Sequence, residues 1–305
     1  MTALIRWVFA TFILCFLVIL AGGIVRTTQS GMGCPDWPRC FGKWIPPTSI
    51  ADLPADYEKY LRKQDIDHSF NAYHTWVEYI NRLLGVLLGV FAIIQFALAY
   101  RKRETMRRSF RLSIVFLALV ILTGLFGAIV VKLNLAHLSI SVHLLFALIL
   151  LQVQCALLMA VRGKLNSIAL PSKLRNLYYG LLVVILIQAT MGTMVRMHID
   201  DISRALNYGK RDSWLDDAPW IFMVHRSFSW LVLICSAWIA YKSRAYHAIR
   251  KQANYLLLTM VCSMLTGIVL YYLDMPAIAQ PVHLLLAAAG ITINMTMILR
   301  TSNAT

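Results

Sequence analysis

The stretch WVEYINRLLGVLLG, Trp76–Gly89, decides the fold. Its second half is apolar without a break, yet Glu78, Asn81 and Arg82 interrupt the first half. A second stretch, WIFMVHRSFSWLVL at Trp220–Leu233, has the same layout and carries His225-Arg226 where the first carries Asn81-Arg82. Each belongs to an apolar run long enough to cross the hydrocarbon core of a bilayer, about 30 Å thick. Polar groups at the same level of two such runs sit where lipid penalises them, and that position marks a functional site.

Working outward, the chain has 305 residues, of which 59% are hydrophobic and only 14% charged. That balance excludes an ordinary soluble domain. Apolar runs of spanning length lie near Trp7–Val25, Trp76–Ala99, Leu112–Val131, Ser141–Val161, Leu177–Val195, Pro219–Ala240, Ala253–Tyr272 and Val282–Leu299. Lipid offers no partner to backbone N–H and C=O groups, so the runs are predicted helices. No segment alternates strictly, which excludes a β-barrel. The fold class is an all-α membrane protein with eight transmembrane helices.

The net charge of +15 is not spread evenly. Segments at one face hold Arg6, Arg101–Arg111, Arg162–Arg175, Lys242–Lys251 and Arg300, with 16 basic residues against the single acid Glu104. Segments at the other face hold 11 basic and 12 acidic residues. The two sets alternate perfectly along eight spans, so the positive-inside rule puts both termini in the cytoplasm. The basic residues set topology, and no nucleic-acid partner is predicted. The run Trp7–Val25 is long for a signal-peptide core and no A-x-A cleavage site follows it, so it is read as the first span. No Arg- and Ser-rich transit sequence precedes it, which points to the plasma membrane of a bacterium.

The eight spans read as two parallel four-helix repeats. GGIVR (Gly22–Arg26) matches GTMVR (Gly192–Arg196), and LTGLFGAIVV (Leu122–Val131) matches LTGIVLYYL (Leu265–Leu273). SVHLLFALIL (Ser141–Leu150) matches PVHLLLAAAG (Pro281–Gly290). An even number of spans per half makes the halves parallel about an axis along the membrane normal. The predicted organisation is an N-terminal half (1–161), a basic cytoplasmic linker (162–176) and a C-terminal half (177–305). Asn81, His143, His225 and His283 then all fall near the outer surface.

Imidazoles facing each other across helices hold haem iron from its two faces, and a cleft between helices suits the macrocycle. A lone intramembrane His is more often an interhelical hydrogen-bond partner. Repetition at matched depth favours haem ligation by His225 and His283, with His143 alike in the first half. His68, His137, His198 and His247 fall in flanking segments and are read as ordinary polar residues. Arg82 and Arg226 are candidates for binding haem propionates through forked hydrogen bonds, or for reaching lipid head groups. Glu78 shares a helical face with Asn81 and Arg82, and His74 lies on the same stripe. Phe222 replaces Glu78 in the second half. The acid is therefore either a chemical group peculiar to the first half or the ion-pair partner of Arg82.

GMGCPDWPRC follows the first span, with Cys34 and Cys40 in a segment bent by Pro35 and Pro38. An outer, oxidising compartment predicts a disulfide there, one that can also be redox-active. Cys15, Cys155, Cys235 and Cys262 lie inside spans and are read as packing residues.

These features together resemble the haem A synthases: eight spans in two halves, matched ligand positions, the GMGCPDWPRCFGKWIP segment, EYINR and VHR. The resemblance covers nearly the whole chain. It implies oxidation of the C8 methyl of haem o to a formyl group, giving haem a for cytochrome oxidase. It implies a cofactor haem b held by His225 and His283 in the second half, and substrate haem o in the first half near catalytic Glu78 and His143. The cysteine segment is implicated in handling electrons or haem. A haem o synthase, an electron donor, the lipid bilayer and further copies of the chain are the implied partners. The sequence departs from the family's Glu-x-x-His-Arg motif at Asn81, where a carboxamide stands in place of imidazole. His143 alone is expected to ligate the substrate iron, unless His74 reaches it. Two other readings are a non-catalytic di-haem cytochrome and a transporter built on repeats. The first leaves Glu78 and the cysteines unexplained, and the second lacks broken helices with paired charges at mid-membrane.

Overall fold

The computed structural model describes residues 3–62, 69–216 and 218–303; His68 lies outside them. Among the described residues eight helices are long and apolar enough to cross a membrane. They are α1 Ala3–Thr27, α2 Ala72–Tyr100, α3 Arg107–Lys132, α4 His137–Val161, α5 Ser172–Ala205, α6 Trp220–Ser243, α7 His247–Tyr272 and α8 Ala279–Arg300. Two short strands, β1 Ile168–Leu170 and β2 Thr301–Asn303, pair in parallel. The chain divides into two compact units, Met1–Leu158 and Met159–Thr305.

Helix α2 explains why these sequences pack as they do. Its buried residues are Thr75, Glu78, Leu88, Ala92, Gln95 and Ala99, mostly polar or small. Leu83, Val86, Val90 and Ile93 point outward and are exposed. Lipid tails are as apolar as leucine, so apolar side chains gain nothing by leaving them; helices associate through close backbone approach and interhelical hydrogen bonds.

Those bonds stitch each unit at its first and last helices. In the first unit, Gln154 of α4 donates to the Val8 carbonyl of α1 at 2.8 Å. Gln154 also forms a reciprocal amide pair with Gln95 of α2, at 3.1 and 3.0 Å. In the second unit, Asn294 of α8 donates to the Tyr178 carbonyl of α5 at 2.9 Å. The Tyr178 hydroxyl meets Ser243 of α6 at 2.8 Å. Gln154 follows His143, and Asn294 follows His283, by the same eleven residues. Val8 precedes Gly22, and Tyr178 precedes Gly192, by the same fourteen.

Helix α5 is longer than the apolar run that announced it. It begins at Ser172, inside the segment predicted as linker, and ends at Ala205, well past Val195. Its far end is held by an amphipathic stripe. Met191, Val195 and Ile199 bury against Trp214, Ile221 and Met275. Arg196 and Asp200, one turn apart, pair at 2.9 Å.

Candidate functional site

In the first unit the site is built by α2 gripping the segment between α1 and α2. Thr75 donates to the Gly33 carbonyl at 2.9 Å. Glu78 accepts from the Cys34 N–H at 2.7 Å, and Tyr79 donates to the Trp44 carbonyl at 2.7 Å. Arg82 donates to the carbonyls of Asp36, Arg39 and Cys34 at 2.6, 3.0 and 2.8 Å. Its Nε lies 3.0 Å from Glu78 Oε1, and a second guanidinium nitrogen pairs with the same oxygen. A guanidinium has five N–H donors. All five of Arg82 are engaged within the chain, which leaves none for a propionate in this arrangement. Glu78 is buried, 4% exposed, with its charge matched by Arg82.

The gripped segment is itself cross-linked by a Cys34–Cys40 disulfide. Asp36 folds it by accepting from the Phe41 and Gly42 N–H groups at 2.6 and 2.9 Å. A Cβ on Gly33 would come within 2.3 Å of the His74 carbonyl, so only glycine permits this approach to α2. His74 lines a recess under the segment with Met32, Gly33, Phe41 and Thr75. Asn81 lies seven residues further along α2, about 10 Å of helix rise.

The histidines rest on glycines of neighbouring helices. A Cβ added at Gly192 of α5 would lie 3.1 Å from His225 Cε1. One at Gly267 of α7 would lie 3.4 Å from His283 Cε1, and one at Gly127 of α3 would lie 3.4 Å from His143 Cε1. Gly22 of α1, the counterpart of Gly192, has nothing within 4 Å. Among the described residues no side chain, that of Asn81 (the counterpart of His225) included, comes within 4 Å of the place a Cβ on Gly22 would take. Asn81 Oδ1 is buried with no hydrogen-bond partner, as are Nδ1 of His143 and Nδ1 of His225. A bound group that offered hydrogen bonds here would satisfy them. Glycines that let each ring approach a neighbouring helix at Cε1 and neutral imidazole chemistry both fit haem iron.

Where the first unit has the Glu78–Arg82 ion pair, the second has aromatic rings. Phe222 stacks on Tyr271, with ring centroids 5.5 Å apart, and Arg226 lies over the same ring at 5.0 Å. The sequence flagged the Phe222 substitution but not Tyr271. Thr75, Tyr79 and the glycine notches were also missed. The GGIVR/GTMVR and LTG repeats contained three of these glycines, read as repeat marks and not as ring contacts.

With this geometry in place, comparison with known proteins is decisive. The COX15-CtaA model, described as cytochrome oxidase assembly protein, matches residues 5–295. The chain belongs to this family. Among cytochrome oxidase assembly proteins and their relatives, it is similar to the Heme A synthase of Sphingopyxis alaskensis, 26% identical over 87% of this chain and 82% of that one. It is 24% identical to the Heme A synthase of Rickettsia felis over 92% and 93% of the two chains. It is 26% identical to that of Flavobacterium johnsoniae over 83% of each.

Proposed function

We propose that this chain is a haem A synthase, an oxidoreductase that converts the C8 methyl of haem o to a formyl group and so supplies haem a for cytochrome oxidase. The observation that carries the reading is the asymmetry of the two units. Among the described residues, only the first places a buried carboxylate, Glu78, against a disulfide-bonded segment, while only the second places two histidines, His225 and His283, on glycine notches. One scaffold therefore presents a site for chemistry and a site for retention.

In this reading His225 and His283 hold haem b, and bound iron supplies the electron-transfer chemistry. His143 ligates the substrate haem. Asn81 would offer its unpartnered carboxamide oxygen to the bound group as a hydrogen-bond acceptor. Glu78, fixed by Cys34 and Arg82, holds negative charge where positive charge or a departing proton develops during methyl oxidation. Arg82 secures Glu78 and the cysteine segment. Arg226, its guanidinium over Tyr271, is the propionate candidate. The repeated carboxamide-to-carbonyl bond between first and last helices supports a parallel two-repeat architecture. The charge pattern supports cytoplasmic termini and haem sites toward the outer face of a bacterial inner membrane.

The test is expression of the full chain beside a haem o source, with chromatography of the extracted haems. Haem a together with haem b is the expected result. Haem b alone, with haem o unconverted, would favour a di-haem electron carrier instead.

A further inference from the structure

We infer that Thr266 is a positioning residue that locks His283 in the tautomer with its proton on Nδ1, and that His143, which has no such partner, is the looser ligand of the two. This rests on the haem-binding reading above and goes on to name what makes one site retain and the other release.

The tautomer follows from two distances. Thr266 Oγ1 lies 2.8 Å from the Ser263 carbonyl oxygen and 2.9 Å from His283 Nδ1. A hydroxyl and a carbonyl oxygen at this separation have the geometry of an ordinary O–H···O hydrogen bond, in which the carbonyl can only accept. The single hydroxyl hydrogen therefore points at Ser263. Toward His283 the hydroxyl has only lone pairs to offer, so the ring donates from Nδ1–H and Nε2 keeps its lone pair for iron. The next residue, Gly267, supplies the notch under the same ring. Thr266 and Gly267 thus fix the proton, the ring plane and the ligating atom of His283 from two consecutive positions on α7.

The first unit has the same two residue types at the matched positions and does not use them. Thr123 turns its hydroxyl to the Leu119 carbonyl at 2.7 Å, and Gly124 has nothing within 4 Å. His143 instead lies one turn further along α3, against Gly127. It runs nearly parallel to the Phe126 ring, at 15° and 6.4 Å between centroids. Its Nδ1 is buried without a hydrogen-bond partner. A hydrogen bond from the distal ring N–H raises ligand basicity and fixes ring orientation, and losing one such partner weakens metal binding by about 10–100-fold. His143 lacks that support, and so does His225; the second unit differs in having one supported histidine, His283, where the first has none. A histidine that holds its haem weakly suits a site whose product must leave.

Two measurements on the full chain test this. In the ¹⁵N-histidine solid-state NMR spectrum before haem loading, His283, assigned by its loss in His283→Gln, should show the Nδ1–H pattern. An Nε2–H pattern would overturn the proposal without touching the haem reading. With haem bound, transfer to apomyoglobin and the midpoint potential of the low-spin haem are followed in Thr266→Val, Thr266→Ser and Thr123→Val. Thr266→Val should release haem about 10–100-fold faster and raise the potential. Thr266→Ser should restore both, and Thr123→Val should change neither. Wild-type release rate and potential in Thr266→Val, or an equal effect from Thr123→Val, would refute the assignment. A wild-type chain that takes up no low-spin haem would instead overturn the haem site itself, and this inference with it.

Discussion

The empty space at Gly22 makes a prediction with a sign. Replacing a helical glycine by alanine gains about 1 kcal/mol of helix propensity. At Gly22 nothing opposes that gain, because no atom lies within 4 Å of the added carbon. At Gly192 the same carbon meets His225 Cε1 at 3.1 Å. Carbon atoms pack best at about 3.5–4.0 Å, so the ring or the helix must yield by roughly half an ångström. Overpacking of this kind costs about 1–3 kcal/mol. Gly22→Ala should therefore be neutral or stabilising, and Gly192→Ala should destabilise by about 1 kcal/mol net. The deeper test is a cycle. Asn81→His should lay an imidazole over Gly22 as His225 lies over Gly192, and in that background Gly22→Ala should change from gain to loss. The coupling should be about 1–3 kcal/mol. Unfolding free energies of the four haem-free chains, measured by denaturant titration in one detergent, give it directly. Coupling smaller than about 0.5 kcal/mol would mean that Asn81 and Gly22 do not face one another as His225 and Gly192 do.

Glu78→Gln should keep the fold and the low-spin haem of the second unit while making little haem a; normal haem a yield would reduce Glu78 to a structural partner of Arg82. Mass spectrometry after alkylation should find Cys34 and Cys40 protected in the untreated protein and labelled only after reduction, and free labelling in fresh membranes would contradict the bond. Gln154→Leu leaves Gln95 buried without its partner and should cost about 1–2 kcal/mol, more than the double replacement with Gln95→Leu; strict additivity would show the pair to be uncoupled. The Thr48 and Ser49 hydroxyls, with their N–H groups, hold Asp52 down to about 2 from its ordinary 3.8. A depressed folded pKa contributes stability above the unfolded value and loses it as pH falls through the folded one. The protection of the Thr48 and Ser49 amides, their hydrogen exchange measured relative to the intrinsic rate at each pH, should hold at pH 5 and be lost only as pH approaches 2; loss of protection already near pH 5 would refute that anchor.

Much of the architecture was legible because lipid imposes simple rules. Spanning helices must be long and apolar, and Leu112–Val131 or Ser141–Val161 can hardly be read otherwise. Glu78, His143, His225 and His283 stood out for the same reason, as polar residues where polarity is penalised. The end of α5 at Ala205 was not legible from apolar length, because beyond Val195 the helix is held by a one-sided stripe of Val195, Ile199 and Ile202 among charges. The engagement of Arg82 was also hidden: i, i+4 spacing suggested Glu78, but three of its donors go to backbone carbonyls of a segment distant in sequence. Gln95 and Gln154 were polar residues in apolar runs, and the rule that drew attention to the histidines applies equally to them.

The grip of α2 on the cysteine segment has a consequence for how the two can vary. The hydrogen bonds that Thr75, Glu78, Tyr79 and Arg82 make to residues 33–44 all go to main-chain atoms, while the Tyr79 ring also packs against the buried Cys34, Cys40 and Phe41 side chains. The polar instructions for docking are thus written on the helix, and the docked segment answers with its main-chain course and with the buried side chains of Cys34, Cys40 and Phe41. Substitutions at Trp37 and Trp44, which are 48% and 64% exposed, should leave docking intact, whereas the four helical positions and Gly33 should tolerate almost nothing. Selection is then free to rewrite the outward-facing side chains of the segment for whatever they meet, without disturbing the carboxylate beneath.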